Sequence, residues 1–450
     1  MVSVVKYPRQ LSALDPPGEV REIVARLERA GHETWCVGGA VRDALLGHAH
    51  LDWDLATAAK PEEVMRLFKR TVPVGVEFGT VGVLDHQNTM HEVTTFRRDV
   101  HTDGRHAVVE FGVKLDDDLA RRDFTINAIA YHPKREEIRD LFEGQLDLQR
   151  GVVRAVGTAA DRMKEDRLRA LRAIRFASRF GFHIEPETWK AIVASAPHLG
   201  RLSPERVRQE LEKTMEQVGK PSVALEWWRA AGALKTLVPS IADAPLERFL
   251  ALDFLPRAGS GRAGDAAEGA KPAADRATLD RLALLFFGDA EKTVVSAAKA
   301  LRFSNAHTSW ISALAASRAD LGAEMDAAMW SAMPDDAHIR RWVARVGRTR
   351  TDAFVALSDA LWRARLSRES DPDIEARLAP FAARASQVAF RDPIELADLA
   401  VDGEDLGTVG IRPGPALGRV LHALLERVIA DPALNTREDL LEFAISLRDG

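Results

Sequence analysis

At 450 residues the chain is long enough for two to four domains with a sizeable core, and its net charge of -5 gives no global electrostatic sign of nucleic-acid binding, so any RNA contact must come from a local patch. A single cysteine, Cys36, excludes a disulfide framework and a cysteine zinc site, which fits a reducing cytoplasm. The N-terminus lacks a hydrophobic signal core and no apolar run is long enough to span a bilayer, so a cytosolic protein is expected.

The first predicted strand, Thr34 to Val37, holds Cys36 as a small core residue and runs into Gly38-Gly39, which opens a helix through Arg42 and Asp43. A glycine pair there lets backbone N–H groups approach a phosphate closely, with the helix dipole favouring its negative charge. Next, Leu51-Asp52-Trp-Asp54-Leu55 places two carboxylates at i and i+2, on one face of a predicted strand. Paired carboxylates suit divalent metal, and metal beside a triphosphate cradle suits nucleotidyl transfer. A lone pair of this kind is usually a solvated strand edge; the upstream glycines and Arg42 are what favour metal. Val81 to Leu84, His91 to Phe96 and Ala107 to Phe111 read as further strands. On the second of these, Glu92 is either a third carboxylate for the same metals or an exposed strand residue, while Glu77 reads as structural.

Arg121-Arg122-Asp123-Phe124-Thr-Ile-Asn127-Ala128 suits a phosphate and ribose contact, with Asp123 orienting an arginine or capping a helix expected from Phe124 to Ala130. From Asp161 helical periodicity dominates. One helix is expected to run from Glu165 to Arg179, with Asp166, Arg169, Arg172 and Arg175 along one stripe. Such a stripe is either a salt-bridged surface or a set of donors and acceptors for the Watson–Crick edge of a base beside a triphosphate. Residues 257–277 are expected to be a mobile loop, and Leu279 to Phe287 an amphipathic helix packing a core. His307, His338 and His422 have no adjacent Asp partner and read as ordinary helix histidines. Near the C-terminus, Val401 to Leu406 and Gly410 to Pro415 punctuate two helices.

Taken in order, Val37 to Asp43, Asp52-Trp-Asp54, Arg121 to Ala128 and Glu165 to Arg169 resemble the motif set of the class II tRNA nucleotidyltransferases, the bacterial-type CCA-adding and poly(A) polymerase branch of the polymerase-β superfamily. The resemblance covers the chain from about residue 30 to its end. Leu202 to Leu211 looks like that family's neck helix, and Asp402 to Pro415 its tRNA-contacting tail. The resemblance implies an α+β protein: a mixed α/β nucleotidyltransferase head (1–150), then a helical neck (151–220), body (221–385) and tail (386–450). It implies Mg²⁺ on Asp52 and Asp54, triphosphate contacts from Gly39 and Arg42, and a nucleotide contact from Arg122. Asp166 and Arg169 would serve as an amino-acid template reading C or A, with Arg172 and Arg175 completing the pocket. The tRNA 3′ end, CTP and ATP are the implied partners, and no protein partner is expected. Asp99 to Phe111 resembles the flexible loop that members adding A require, with Ala107 where many have Pro. CC-only addition is disfavoured by that loop; A-only addition stays open. The basic stretch of poly(A) polymerases is not matched by Thr94-Thr-Phe-Arg97-Arg-Asp99. A catalytically silent tRNA clamp would have lost one of the paired carboxylates, and both are present.

Overall fold

The computed structural model describes residues 9–48, 53–102, 107–256 and 270–449. The chain separates into two compact units, one of residues up to 214 with 218–239, the other of 215–217 with 240–450. The expected head and the expected neck apart from 215–217 fall in the first.

The first unit is built on a seven-stranded mixed sheet. Its strands are β1 (Thr34–Val37), β2 (Asp54–Thr57), β3 (Thr71–Gly75), β4 (Thr80–Leu84), β5 (Met90–Thr95), β8 (Ile129–His132) and β9 (Glu137–Asp140), in the order β3-β4-β5-β2-β1-β8-β9. All neighbours are antiparallel except β2 and β5, which run parallel with Leu55 opposite Val93. Helices α1 (Gly18–Arg29), α2 (Gly39–Leu45) and α3 (Pro61–Leu67) are interleaved with the early strands, and α3 packs on β4 and β5. Over that face His91, Val93, Val81 and Val83 are buried. On the other face Leu115 and Leu119 of α4 (Leu115–Ala120) join Trp35, Val37, Ala56, Phe96 and Ala130 in one apolar cluster.

The segment resembling a flexible loop, Asp99 to Phe111, belongs to a two-stranded ribbon of β6 (Arg97–Thr102) and β7 (Ala107–Phe111); its residues 103–106 lie outside the described residues. The helix expected from Phe124 to Ala130 does not form. Thr125–Asn127 makes one 3₁₀ turn, and the chain enters β8, where Ala130 and Tyr131 pair with Val37 and Cys36 of β1. Cross-strand burial of Ile129, Ala130 and Tyr131 outweighs the local helical preference.

After α5 (Gly144–Arg150), a short parallel pair of β10 (Val152–Val153) and β11 (His183–Ile184) brackets α6 (Ala159–Glu165) and α7 (Leu168–Phe180). Helices α8 (Pro186–Ser195), α9 (Pro204–Gln217), α10 (Pro221–Ala230) and α11 (Ala233–Leu237) follow. The continuous helix expected from Glu165 is broken. Asp166 is extended (φ -146°, ψ 105°), and its Oδ1 accepts from the Leu168 N–H at 3.1 Å. A short acidic side chain does better capping a helix than sitting inside one.

The second unit is helical among its described residues: α12 (Leu246–Ala251), α13 (Ala270–Leu285), α14 (Glu291–Ala300), α15 (Asn305–Ser331), α16 (Asp336–Val346), α17 (Thr351–Leu366), α18 (Pro372–Arg391), α19 (Gly403–Thr408), α20 (Pro415–Ala430) and α21 (Arg437–Asp449). Of the expected 257–277 loop, residues 257–269 lie outside the described residues, but helix α13 already begins at Ala270. Pro272 falls in its first turn, where a missing N–H removes no bond. The segment from Arg281 to Phe287 is buried on every side rather than along a stripe. Arg281 is accommodated by donating to the carbonyl oxygens of Met215 (2.6 Å) and Leu255 (2.8 Å). Arg340 of α16 donates to Ile429 O (2.7 Å) and Ala430 O (3.2 Å) at the C-terminus of α20, where a cation meets the negative end of the helix dipole. No helix among the described residues is long and apolar enough to cross a membrane.

Candidate active site

Strand β1 ends at Val37, opposite Asp54, the first residue of β2. The backbone then turns at Gly38 with φ +75°, a conformation open to glycine at little cost. A Cβ on Gly38 would stand 3.0 Å from Arg122 Nη1 and 3.6 Å from Asp54 Oδ2, so a guanidinium and a carboxylate converge on this turn. Asp54 is exposed. Paired residues of adjacent strands share a face. Leu55 faces Val93, so Asp54 and Glu92, each one residue earlier, lie side by side on the opposite face. Glu92 and Thr94 are half-buried there, alternating with buried His91, Val93 and Thr95. Asp52 lies outside the described residues, and among those described no three His, Cys, Asp or Glu side chains cluster as a metal would need. Glu77 is exposed in the turn after β3.

Arg122 is held by a residue the sequence reading passed over. Buried Asp118 accepts from Arg121 Nε (2.9 Å) and Nη2 (2.7 Å) through Oδ1 and from Arg122 Nη2 (3.0 Å) through Oδ2. Burial opposes its charge, but Arg122 and Arg121 hold its carboxyl below the ordinary value. The i, i+3 and i, i+4 spacing was a readable signal for this. Arg122 Nη1 also reaches Asn127 O at 3.4 Å.

Asn127, Asp123 and Arg42 form a second buried knot. Asn127 Oδ1 accepts from Arg42 Nη1 (2.5 Å), while its Nδ2 donates to Asp123 Oδ1 (2.9 Å). Asp123 Oδ1 also accepts from the Phe124 N–H (2.9 Å), and its Oδ2 from Arg172 Nε (2.8 Å). Burial works against ionised Asp123; Arg172 outweighs it and keeps the carboxyl below its usual range, while Asp123 in turn holds Arg172 above its own. Arg42 lies 4% exposed, against the rings of Phe176 (4.8 Å) and Phe180 (4.9 Å), and donates to Asp43 Oδ1 through Nε (2.8 Å). Burial lowers its pKa, against the raising effect of Asp43. Asp43 also accepts from Arg179 (3.0 Å), tying α2 to α7.

The expected arginine stripe divides by environment. Arg169 is buried, donating to Glu165 (2.7 Å), Arg162 O (3.2 Å) and Arg121 O (2.9 Å). Arg175 donates to Glu210 Oε1 of α9 (2.6 Å), both side chains being nearly inaccessible, and burial lowers its pKa. No local spacing announces Glu210, thirty-five residues away. Arg172 keeps a third of its side chain exposed, as does Asp166, whose Oδ2 accepts from Arg206 (2.8 Å). The structure therefore brings Gly38, Asp54, Glu92 and Arg122 to one face, leaves Asp166 and Arg172 partly exposed in ion pairs with Arg206 and Asp123, and buries Arg42, Arg169 and Arg175 in theirs. His338 does have an acidic neighbour, contrary to the sequence reading: its Nδ1 lies 2.8 Å from Asp335 Oδ1, a pair that caps α16 at the surface. The backbone N–H of His307 donates to the side chain of Ser304, which caps α15, and His422 is exposed.

Residues 34–154 match the family described as the poly A polymerase head domain, 181–244 that described as an RNA and SrmB-binding site of polymerase A, and 355–444 tRNA nucleotidyltransferase domain 2. Against the CCA-adding enzyme of Leuconostoc mesenteroides the chain is 49% identical over 199 residues, 44% of this chain, spanning about half (49%) of that relative's length. With the CCA-adding enzyme of Latilactobacillus sakei the likeness runs almost end to end, 33% over 432 residues, covering 95% of this chain and 97% of that one. The crystal structure of the Bacillus stearothermophilus CCA-adding enzyme in complex with CTP is similar over 97% of this chain and 98% of that one, with TM-score 0.72 and 29% identity. With the glycine turn, the strand carboxylates and the arginines already assembled on one head, these likenesses over the full length make the chain a member of the CCA-adding enzymes, the tRNA nucleotidyltransferases with a poly A polymerase head.

Proposed function

We propose that the protein adds C, C and A to the 3′ end of tRNA from CTP and ATP, releasing pyrophosphate, without a nucleic-acid template. The observation that carries the chemistry is the convergence of the Asp54 carboxylate and the Arg122 guanidinium on Gly38, an acid for metal and a cation for phosphate facing a turn with no side chain to fill it. Asp52, Asp54 and Glu92 are hard oxygen donors of the kind Mg²⁺ takes, and Asp52 and Asp54 would hold it, with Glu92 beside them. Bound there, Mg²⁺ would supply neutralisation of phosphate charge and a lower pKa for the attacking hydroxyl.

The chain's own groups do the positioning. Gly38 and Gly39 admit the triphosphate close to backbone N–H groups. Arg122, braced by Asp118, meets its negative charge, so that no reorganisation is needed as charge shifts toward the leaving pyrophosphate. Buried Arg42, Asp123 and Asn127 act one step back, locking the turn to Arg172. Asp166 and Arg169 would read the base, with Arg172 and Arg175 completing the pocket along α7. A buried donor or acceptor left unpaired by G or U costs about 1–3 kcal/mol, which is the physical basis for rejecting them. The four segments 1–150, 151–220, 221–385 and 386–450 serve as head, neck, body and tail, working in the cytoplasm.

The test uses the purified protein, Mg²⁺ and tRNA transcripts ending at the discriminator base, -C, -CC and -CCA, each with one labelled nucleoside triphosphate. Ordered addition that stops at -CCA is expected, and an Asp54→Asn variant should lose it. Addition of A to -CC alone would make the protein an A-adding enzyme. A ladder of adenylates on any RNA would make it a poly(A) polymerase, and binding without addition would leave only a clamp.

A further inference from the structure

The face of the sheet that carries Asp54 and Glu92 is only half covered. Over β1, β2 and β8 it is sealed by Leu115 and Leu119 of α4. Toward β4 and the edge strand β3 that cover gives out, and the face carries partly exposed apolar side chains. Val72 pairs with Gly82 and Gly82 with Glu92, so all three share the carboxylate face. Gly82 has no side chain, and a Cβ there would stand 2.7 Å from Met90 Sδ and 3.0 Å from Val74 Cγ2, so these two side chains close over it into one apolar floor. The floor is solvent-accessible: Val72 is 38% exposed, Val74 44% and Met90 37%. At its end stands Phe78, 46% exposed, its ring 3.8 Å from the Cβ position of Gly75, which pairs with Thr80 on this same face. A sheet face normally buries apolar side chains, so a contiguous exposed set beside a polar reactive group points to a ligand.

Direction decides which ligand. The phosphate-admitting turn and Arg122 lie on the β1 side of Asp54, while Glu92 and the apolar floor lie on the β5 side. In-line transfer needs the attacking hydroxyl and the leaving pyrophosphate on opposite sides of the reacting phosphorus. The acceptor strand therefore enters over β5, β4 and β3, and an unpaired RNA end brings base faces that stack on aromatic and apolar side chains. We propose that Val72, Val74, Met90 and Phe78 form the seat for the bases of the acceptor's single-stranded 3′-terminal nucleotides, delivering the terminal hydroxyl beside Glu92. This rests on the nucleotidyl-transfer reading above.

The experiment measures A addition to a tRNA transcript ending in -CC, varying RNA and ATP separately, for the wild type and for Phe78→Ala, Val74→Ser and Phe78→Trp. Loss of one stacking surface is expected to raise the KM for RNA by a factor of about ten in Phe78→Ala, with a smaller rise in Val74→Ser. The KM for ATP should be unchanged, and Phe78→Trp should restore the RNA value. All four side chains are surface groups, and matching melting temperatures would separate a binding defect from misfolding. In parallel, a transcript with 2-aminopurine as its terminal base should lose fluorescence on binding the wild type and less on binding Phe78→Ala. Unchanged RNA KM in both truncated variants, or a KM for ATP that rises in step, would overturn the seat. So would a wild-type oligomer that Phe78→Ala dissociates, since the patch would then be a contact between copies. A wild type that adds nothing but still quenches the probe would refute the catalytic reading and leave the seat standing.

Discussion

Arg175 and Glu210 are the most demanding pair in the first unit, two opposite charges 2.6 Å apart with almost no access to water. Removing one member strands the other, so Arg175→Ala should cost about 3–5 kcal/mol in urea unfolding, whereas Arg175→Met with Glu210→Leu should recover most of it. A single substitution there that left stability untouched would mean the pair is not carrying charge inside. Asp118 makes an acid-side prediction. Its folded carboxyl sits below the ordinary 3.8 although burial pushes the other way, because Arg122 and Arg121 flank it. Its contribution is complete above the unfolded value and fades as pH falls through the lower folded one. Melting temperatures followed below pH 4 should therefore drop less steeply in Asp118→Asn than in the wild type, while near neutrality the variant should be the weaker of the two. Asp118 was readable from its spacing to Arg121 and Arg122, but the role of Arg175 was not: a guanidinium in a motif looks the same whether it meets ligand or Glu210.

At the level of elements, the break between α6 and α7 matters most. Asp166 sits in it, extended, capping α7 with one oxygen and holding Arg206 with the other. Asp166→Ala should lose about 1 kcal/mol of helix stabilisation through the missing cap. Asp166→Asn keeps the capping oxygen and should melt close to the wild type, yet an amide in place of a carboxylate changes what it can offer a base. Misincorporation of G or U, scored on transcripts ending in -C, should rise in Asp166→Asn if this side chain reads the nucleotide, and stay flat if it only caps. The strands with strong alternation or β-branched runs, such as Thr34 to Val37 and His91 to Phe96, were legible from local sequence, and so was the glycine-opened helix α2. Phe124 to Ala130 was not, because its state is decided by pairing with Val37 and Cys36, some ninety residues earlier. Nor was the Ala-rich start of α13, where glycines just upstream masked good helix formers.

For the molecule as a whole, a net charge of -5 means that the proposed RNA binding would work against the average field and through local cations. The KM for tRNA should climb steeply with added KCl, linearly on logarithmic axes, because phosphate contacts release counterions. A much shallower dependence for CTP would separate backbone recognition from the nucleotide pocket. The assembly of Gly38, Asp54 and Glu92 from three strands was foreseeable as motifs but not as a face, since only the parallel register of β2 and β5 sets the two carboxylates side by side. Cys36 is completely buried in β1, its thiol pushed far up in pKa by burial, and it is the chain's one cysteine. The native protein is thus silent toward maleimides and other thiol reagents. A cysteine introduced on an exposed surface becomes the single reactive handle, and a pair of them allows spin labels or fluorophores to report distances across the protein as nucleotide or RNA is added, with the wild-type interior left intact.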